Sequence, residues 1–317
     1  SRCMDILLVL IGFVVLVAGG ELLVRGATQM ARAFGMSPML IGLTVVACGT
    51  SAPELAASLA AAVRGVPEVA LGNVLGSNTG NIGLILGFVA LLRPVVSTND
   101  LFRRELPLMV FVMALPMALY WNGVQGRFES GLLVLLLVGY MIALIREARQ
   151  DGAPSDEEAD QDLPPEAPLW KAVLSVVVGI AALAGGAVVL IQGAVGIAAA
   201  LGVPDRVVGL TLVALGTSLP ELAASAVAAW RGHSAMILGN IIGSNIFNVL
   251  AILGITGLIK PIVVDAAAMQ TDIIISVGFG LLILPFLALF KRIGRVSGGL
   301  LMFLYFAYIY SLFIRTG

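Results

Sequence analysis

Long apolar blocks, bounded by charges, glycines and prolines, set the pattern of this chain from end to end. A helix that crosses a bilayer needs roughly 20 apolar residues. Ten candidate spans answer to that description: Met4 to Ala33, Pro38 to Val63, Val69 to Leu92, Leu106 to Tyr120, Ser130 to Ile145, Leu169 to Ala200, Val207 to Trp230, Ala235 to Ile259, Ile273 to Phe290 and Gly298 to Ile314. The fourth is the shortest. Between the fifth and sixth lies the only polar stretch of any length, Gln150 to Glu166, in which seven carboxylates and three prolines predict a solvated linker. It lacks the ligand spacing and central glycine of an EF-hand, so a calcium-sensing loop is not expected there.

The pattern also repeats. The block Gly42 to Ser58 returns as Gly209 to Ser225, and Leu71 to Asn78 returns as Leu238 to Asn245, both at one offset of 167 positions (Asn78 to Asn245). From Gly35 to Pro94 against Gly202 to Pro261, 31 of 60 positions are identical without a gap. Such self-similarity is the first thing to seek in a sequence, because it decides the architecture. Each copy holds five candidate spans, and an odd number forces the second copy to enter the membrane from the opposite side. The expected fold class is therefore all-α transmembrane: ten helices as two inverted five-helix repeats, 4–149 and 169–317, joined by the acidic linker 150–168. Inverted repeats commonly build secondary transporters, with the site at the midplane between the halves.

Composition agrees. The 317 residues are 59% apolar and 12% charged, with net charge −1, outside the range of an ordinary soluble domain. No basic run tracks a phosphate backbone, so nucleic acid is not an expected partner. No protein partner or cofactor is evident either. Cys3 and Cys48 fit neither a disulfide framework nor a Cys-x-x-Cys metal site and are expected as small apolar fillers. The first apolar run has no basic cluster before it and no convincing cleavage site after it, so it is expected to be a span rather than a signal peptide, with Met4 as a natural start.

Basic residues orient the spans. With the N-terminus outside, the cytoplasmic side carries Arg25, Arg32, Arg93, Arg103, Arg104, Arg146, Arg149, Lys171, Arg231, Lys291, Arg292 and Arg295; the outer side keeps Arg2, Arg64, Arg127, Arg206, Lys260 and Arg315. Both termini are thus expected outside and the acidic linker in the cytoplasm.

Chemistry concentrates in the repeated blocks. Glu54 and Glu221 fall well inside the second and seventh spans, where a lone acid costs about 2.5 to 3.5 kcal/mol even on a lenient insertion scale, and neither span offers a Lys or Arg partner within a turn or two. A neutral carboxyl bonded to a neighbouring helix is the bland alternative. Its recurrence in both copies of one motif favours an ion site. Thr50 and Ser51 stand on the same helical face as Glu54, and Thr217 and Ser218 repeat this beside Glu221. Pro53 and Pro220 should free carbonyls near Ala47 to Gly49 and Ala214 to Gly216. Ser77 with Asn81, and Ser244 with Asn248, add neutral oxygens one helical turn apart, and interhelical bonding is their alternative role. Glycines 72, 76, 239 and 243 form Gly-x-x-x-Gly pairs suited to close helix packing. Hard oxygen donors select Ca2+, Na+ or Mg2+ over softer metals, and six to eight of them suit Ca2+. Two carboxylates balance one Ca2+ or two Na+.

An intramembrane serine hydrolase would need a base. The single histidine, His233, falls in a loop, where it is expected to be solvated, and no lysine sits in a span. A channel is the other alternative, although pores are usually rings of like elements. The aromatics Trp170, Trp230, Tyr305, Tyr308 and Tyr310 suit interfaces or packing.

The motifs Gly49-Thr-Ser-Ala-Pro-Glu54 with Gly76-Ser-Asn78, and Gly216-Thr-Ser-Leu-Pro-Glu221 with Gly243-Ser-Asn245, resemble the alpha repeats of the calcium/cation antiporter superfamily, and most closely its prokaryotic sodium/calcium exchangers. That resemblance implies a fold in which the second, third, seventh and eighth helices surround the ions while the first and sixth slide. It implies Ala47 and Ala214 as carbonyl ligands, and Thr50, Ser51, Glu54, Ser77, Asn81, Thr217, Ser218, Glu221, Ser244 and Asn248 as side-chain ligands. The implied activity is Na+/Ca2+ antiport by alternating access in a prokaryotic plasma membrane, with Ca2+/H+ exchange as the alternative coupling. Potassium-dependent relatives carry Asp where this chain has Asn248, which argues against potassium co-transport. The linker is too short for the regulatory domains of eukaryotic exchangers.

Overall fold

A computed structural model describes residues 2–97, 101–150, 168–202 and 216–316. Nearly all of the expected linker and the first part of the seventh span, including Ala214, lie outside the described residues. The helices in chain order are α1 (Arg2–Phe34), α2 (Pro38–Ile41), α3 (Ala47–Thr50), α4 (Ala52–Val63), α5 (Glu68–Gly80), α6 (Gly87–Leu92), α7 (Leu106–Leu119), α8 (Arg127–Gln150), α9 (Leu169–Ala200), α10 (Leu219–Trp230), α11 (Ser234–Phe247), α12 (Gly254–Ile259), α13 (Ala266–Phe290) and α14 (Arg295–Thr316). Wider π-helical turns join several of them: Gly42–Val46 before α3, Asn81–Leu86 between α5 and α6, Leu101–Glu105 before α7, and Asn248–Leu253 between α11 and α12.

Seven helical runs among the described residues are long and apolar enough to cross a membrane, and the pair Pro38–Thr50 with Ala52–Val63, bent by 41°, makes an eighth. The chain is a multi-pass membrane protein. Two of the ten expected spans do not reach that length: α7 has 14 residues, and α10 shows 12 within the described part. The runs Glu68–Leu92 and Ser234–Ile259 are 78% and 83% buried, against 22–33% for the other five long ones, so these two form the centre and the rest face lipid.

Elements of the first half recur in the second at the sequence offset. α4 matches α10 end for end, and the π turn at Asn81–Leu86 matches that at Asn248–Leu253. Four two-residue strands are absent from the all-α expectation: β1 (Val95–Val96), β2 (Val124–Gln125), β3 (Ile262–Val263) and β4 (Arg292–Ile293), with β1 and β3 at the same offset and β2 and β4 one residue beyond it. β1 pairs antiparallel with β4, and β2 with β3, so each half closes on the other. Two residues are too short for any alternation to register in a sequence.

At 33 and 32 residues, α1 and α9 are about 50 Å long, well beyond a bilayer core of ~30 Å. They run antiparallel against each other. Glycines every seven residues make the contact: a Cβ on Gly12, Gly19 or Gly26 would meet Leu190, Leu183 or Ala172 backbone within 2.5–2.9 Å, and one on Gly179, Gly186 or Gly193 would meet Leu23, Leu16 or Asp5 backbone equally closely. In lipid, where apolar burial drives little, such backbone approach is what holds two helices together. Gly239 and Gly243 likewise press on the backbone at Met39 and Leu43, as the Gly-x-x-x-Gly spacing predicts. Gly72 and Gly76 meet no atom among the described residues; their partners by the repeat offset, residues 206–210, fall outside these.

Candidate functional site

The site is set by a break in each of two helices. Ser51 leaves helical geometry at φ −82°, ψ 3°, and Ser218 does so at φ −90°, ψ 2°. Two residues on, Pro53 and Pro220 have no N–H, so the carbonyls of Gly49 and Gly216 lose their i+4 donor. The Ala47 carbonyl, expected to be freed as well, is not: it keeps its i+4 bond from Ser51 N–H at 3.0 Å, because Ser51 rather than a proline stands at that position, and also accepts from Thr50 Oγ1 at 3.4 Å. Each break restarts a helix, and Glu54 and Glu221 sit in the first turns of α4 and α10, where the helix dipole favours a negative charge.

Both carboxylates are 1% exposed. The two motifs meet reciprocally: Ser51 Oγ donates to Glu221 Oε1 at 3.1 Å, and Ser218 Oγ lies 3.5 Å from both Glu54 Oε1 and Ser77 Oγ. The second oxygen of each carboxylate, Oε2, is buried without any hydrogen-bond partner. So are Ser244 Oγ, Asn81 Oδ1 and Asn248 Oδ1. Neither Glu54 nor Glu221 takes part in an ion pair among the described residues; the pairs there involve Glu21, Glu105 and Glu147. An unpaired buried oxygen normally loses about 1–3 kcal/mol, and more when charged. Five of them, drawn from both copies of the motif and including one oxygen of each carboxyl group, are acceptors of the kind a hard cation takes.

Of the residues singled out in the sequence, Ala47, Thr50, Ser51, Glu54, Ser77, Asn81, Ser218, Glu221, Ser244 and Asn248 are each buried, and hydrogen bonds bring Ser51 to Glu221 and Ser218 to Glu54 and Ser77. Thr217 is half-buried. Ala214 lies outside the described residues.

A supporting layer escaped the sequence analysis. Asn73 Nδ2 donates to the Glu54 carbonyl at 3.1 Å and to Ser58 Oγ at 3.0 Å; its repeat counterpart Asn240 donates to Ser225 Oγ at 3.1 Å and accepts from Thr50 Oγ1 at 3.3 Å. Asn78 and Asn245 bond across the centre to Asn248 and Asn81. The signal was present, because all four asparagines lie in the repeated blocks. What sequence could not supply was their direction. The π turns beginning at Asn81 and Asn248 also went unforeseen, and such turns are frequent at functional sites.

The surroundings of the two broken helices differ. α1 packs along α10, where a Cβ on Gly20 would lie 3.1 Å from Val227 and 3.2 Å from the Ala223 carbonyl. α9 makes no comparable contact with α4, and Ala56, Ala57 and Ala60 on that helix are exposed. At the far end of α10, Arg231 grips Glu21 of α1 through both Nη2 and Nε, while Arg25 bonds to the same carboxylate. Nearby His233, expected to be solvated, is half-buried. Burial first, then Arg231 and Arg93, hold its imidazole below the usual range. Trp170, Trp230 and Tyr310 are exposed on the outer surface, whereas Tyr305 is buried against Gly83.

Comparison with known proteins agrees along the whole chain. A 40% identical relative over 312 residues, covering 96% of this chain and 97% of its own, is a putative antiporter CaxA of Alkalimonas amylolytica. The sodium/calcium exchanger MaX1 of Methanosarcina acetivorans is 34% identical over 346 residues, covering 98% of both chains. Among solved structures, the sodium-calcium exchanger NCX_Mj soaked with zero Na+ and Ca2+ superposes with a TM-score of 0.82 at 31% identity, over 98% of this chain and 100% of the other. The family defined as sodium/calcium exchanger protein matches residues 4–146 and 171–314. By that match and these relatives, the chain belongs to the sodium/calcium exchanger protein family.

Proposed function

We propose that this protein is a secondary active antiporter that exchanges Na+ for Ca2+ across a prokaryotic plasma membrane, extruding Ca2+ on the inward Na+ gradient. The observation that carries it is five buried oxygens without a hydrogen-bond partner, Oε2 of Glu54 and of Glu221, Oδ1 of Asn81 and of Asn248 and Oγ of Ser244, on matching elements of the two halves. Two carboxylates with no basic partner among the described residues need compensating charge when ionised, and one Ca2+ or two Na+ supply it equally. Competition for one centre is the physical basis of exchange. Relatives named as sodium/calcium exchangers support these two ions.

The proposed ligands are the side chains of Thr50, Ser51, Glu54, Ser77, Asn81, Thr217, Ser218, Glu221, Ser244 and Asn248, with the carbonyls of Ala47 and Ala214. The proposed architecture is ten spans in two inverted repeats, 4–149 and 169–317, about the linker 150–168. The exchange of strands between halves and the matched breaks at Ser51 and Ser218 support it. Both termini are proposed to lie outside, on the distribution of basic residues. The cycle would expose the centre to each side in turn by movement of α1 and α9.

The test is radiolabelled Ca2+ uptake into Na+-loaded proteoliposomes. Uptake should require the outward Na+ gradient and vanish in Glu54→Gln and Glu221→Gln. Normal transport by both variants would refute the site. Ca2+ flux driven by a pH jump in Na+-free buffer would instead assign the counter-transport to protons, and a steady current without any counter-ion would indicate a channel.

A further inference from the structure

Within the proposed ion centre, and resting on that proposal, two of the ligands are chemically ambiguous: Asn81 and Asn248. An asparagine amide has an oxygen end that attracts a cation and an NH2 end of nearly the same shape that repels one, and a half-turn about the last side-chain bond exchanges them. Asn81 and Asn248 both present Oδ1 as the buried, unpartnered end. What holds them that way is visible. Asn81 Nδ2 donates to Asn245 Oδ1 at 3.0 Å, and Asn248 Nδ2 donates to Asn78 Oδ1 at 3.0 Å. Each bond joins one repeat to the other, and all four side chains are 0–1% exposed, so water cannot substitute for a missing partner.

The two outer asparagines are themselves fixed. Asn78 Nδ2 donates to the Asn245 carbonyl at 3.2 Å, which leaves Asn78 Oδ1 as the end facing Asn248. Asn245 Nδ2 donates to Met109 Sδ on α7 at 3.4 Å, which leaves its Oδ1 facing Asn81. Neither anchor can accept a bond in one orientation and give one in the other: a carbonyl and a thioether only accept. Direction is therefore passed outward to inward, from anchors that cannot be reversed to the ambiguous ligands.

From this geometry we infer that Asn78 and Asn245 are positioning residues that determine which end of Asn248 and Asn81 meets the transported cation, each serving the asparagine of the opposite repeat. They touch no ion themselves. Removing one frees its client amide to turn and aim an N–H at the cation. A carboxylate in the client position has oxygen at both ends and needs no such help.

That difference supplies a test which simple loss of packing cannot imitate. Ca2+ binding to purified, detergent-solubilised protein is measured by titration calorimetry for wild type, Asn78→Ala and Asn245→Ala, each also combined with Asn81→Asp or Asn248→Asp. Asn78→Ala should weaken Ca2+ binding about 10-fold or more in the otherwise native protein and under about threefold in the Asn248→Asp background. In the Asn81→Asp background its full effect should persist. Asn245→Ala should show the crossed pattern, suppressed by Asn81→Asp and not by Asn248→Asp. Equal losses in all backgrounds, or no loss in any, overturn the inference while leaving the exchange function standing. A wild-type protein that shows no Na+-driven Ca2+ uptake overturns that function instead. Thermal melting accompanies each variant, and where alanine prevents folding, serine at the same position, too short to reach the client amide, carries the identical cycle.

Discussion

At the scale of single residues the centre depends on hydroxyls as much as on charge. Ser51 Oγ and Ser218 Oγ each contact the carboxylate of the opposite motif, and in doing so take up one oxygen and direct the other, Oε2, to the unpartnered set. Ser51→Ala or Ser218→Ala should therefore raise the apparent KM for Ca2+ by about 10-fold or more, since orienting partners of metal ligands are typically worth that much. Initial rates of Ca2+ uptake against external Ca2+ would measure it, with Ser51→Ala the more severe because its contact is the shorter, 3.1 Å against 3.5 Å. This layer was partly legible. A doubled Glu beside Ser and Thr in an apolar helix announces itself, because an acid without a basic partner is so costly to place in a membrane span. That Ser51 serves Glu221 rather than its own neighbour Glu54 depends on how two distant helices cross, and no local pattern encodes it. Asn78 and Asn245 stood in the same repeated blocks but read as motif rather than mechanism, because an amide's role depends on which way it points.

Among the elements, the long pair α1 and α9 carries a clear expectation. Glycines 12, 19 and 26 on one and 179, 186 and 193 on the other leave no room for a methyl group between the two backbones. Gly19→Ala or Gly186→Ala should cost about 1–3 kcal/mol through forced separation of the helices, seen as a lower melting temperature in detergent. Gly139→Ala in α8 and Gly278→Ala in α13, whose Cβ positions meet nothing within 4 Å, should melt no lower than wild type and are the controls. A second expectation concerns matched polar clamps near the starts of α7 and α13. Tyr140 donates to the buried Glu105 at 3.0 Å, and Tyr308 donates to Asp272 at 3.3 Å. Tyr140→Phe removes a bond to a buried acid and should destabilise by about 1.5–3 kcal/mol, again read by melting. Span positions were the most legible feature of the sequence, because twenty apolar residues have few alternatives to a membrane helix. The short strands and the π turns were not, since two paired residues or one extra backbone step leave no periodic trace.

In the whole molecule, near-symmetry of sequence meets asymmetry of structure. α4 and α10 correspond residue for residue, yet α1 covers the face of α10 at Ala223 and Val227, while Ala56 and Ala60, the matching positions of α4, are exposed. If the two halves exchange roles during transport, this arrangement is one end of the cycle, closed along α10 and open along α4. The ion pair between Glu21 and Arg231 ties α1 to the closed side, and the sequence departs from its own repeat there: Arg64 matches Arg231, but Val188 stands where an acid would match Glu21. The closed arrangement along α10 thus has a fastening that its mirror image lacks. Thiol-reactive reagents should label Ala56→Cys readily and Ala223→Cys slowly in the resting protein. Glu21→Gln should then raise the labelling rate of Ala223→Cys by about 1.4- to fivefold, because a partly exposed ion pair contributes roughly 0.2–1 kcal/mol to such an equilibrium, and high salt should produce the same change. Ala56→Cys should become correspondingly slower, since opening one face closes the other. Equal labelling at both positions before and after Glu21→Gln would mean that the difference between α4 and α10 is fixed rather than part of a cycle.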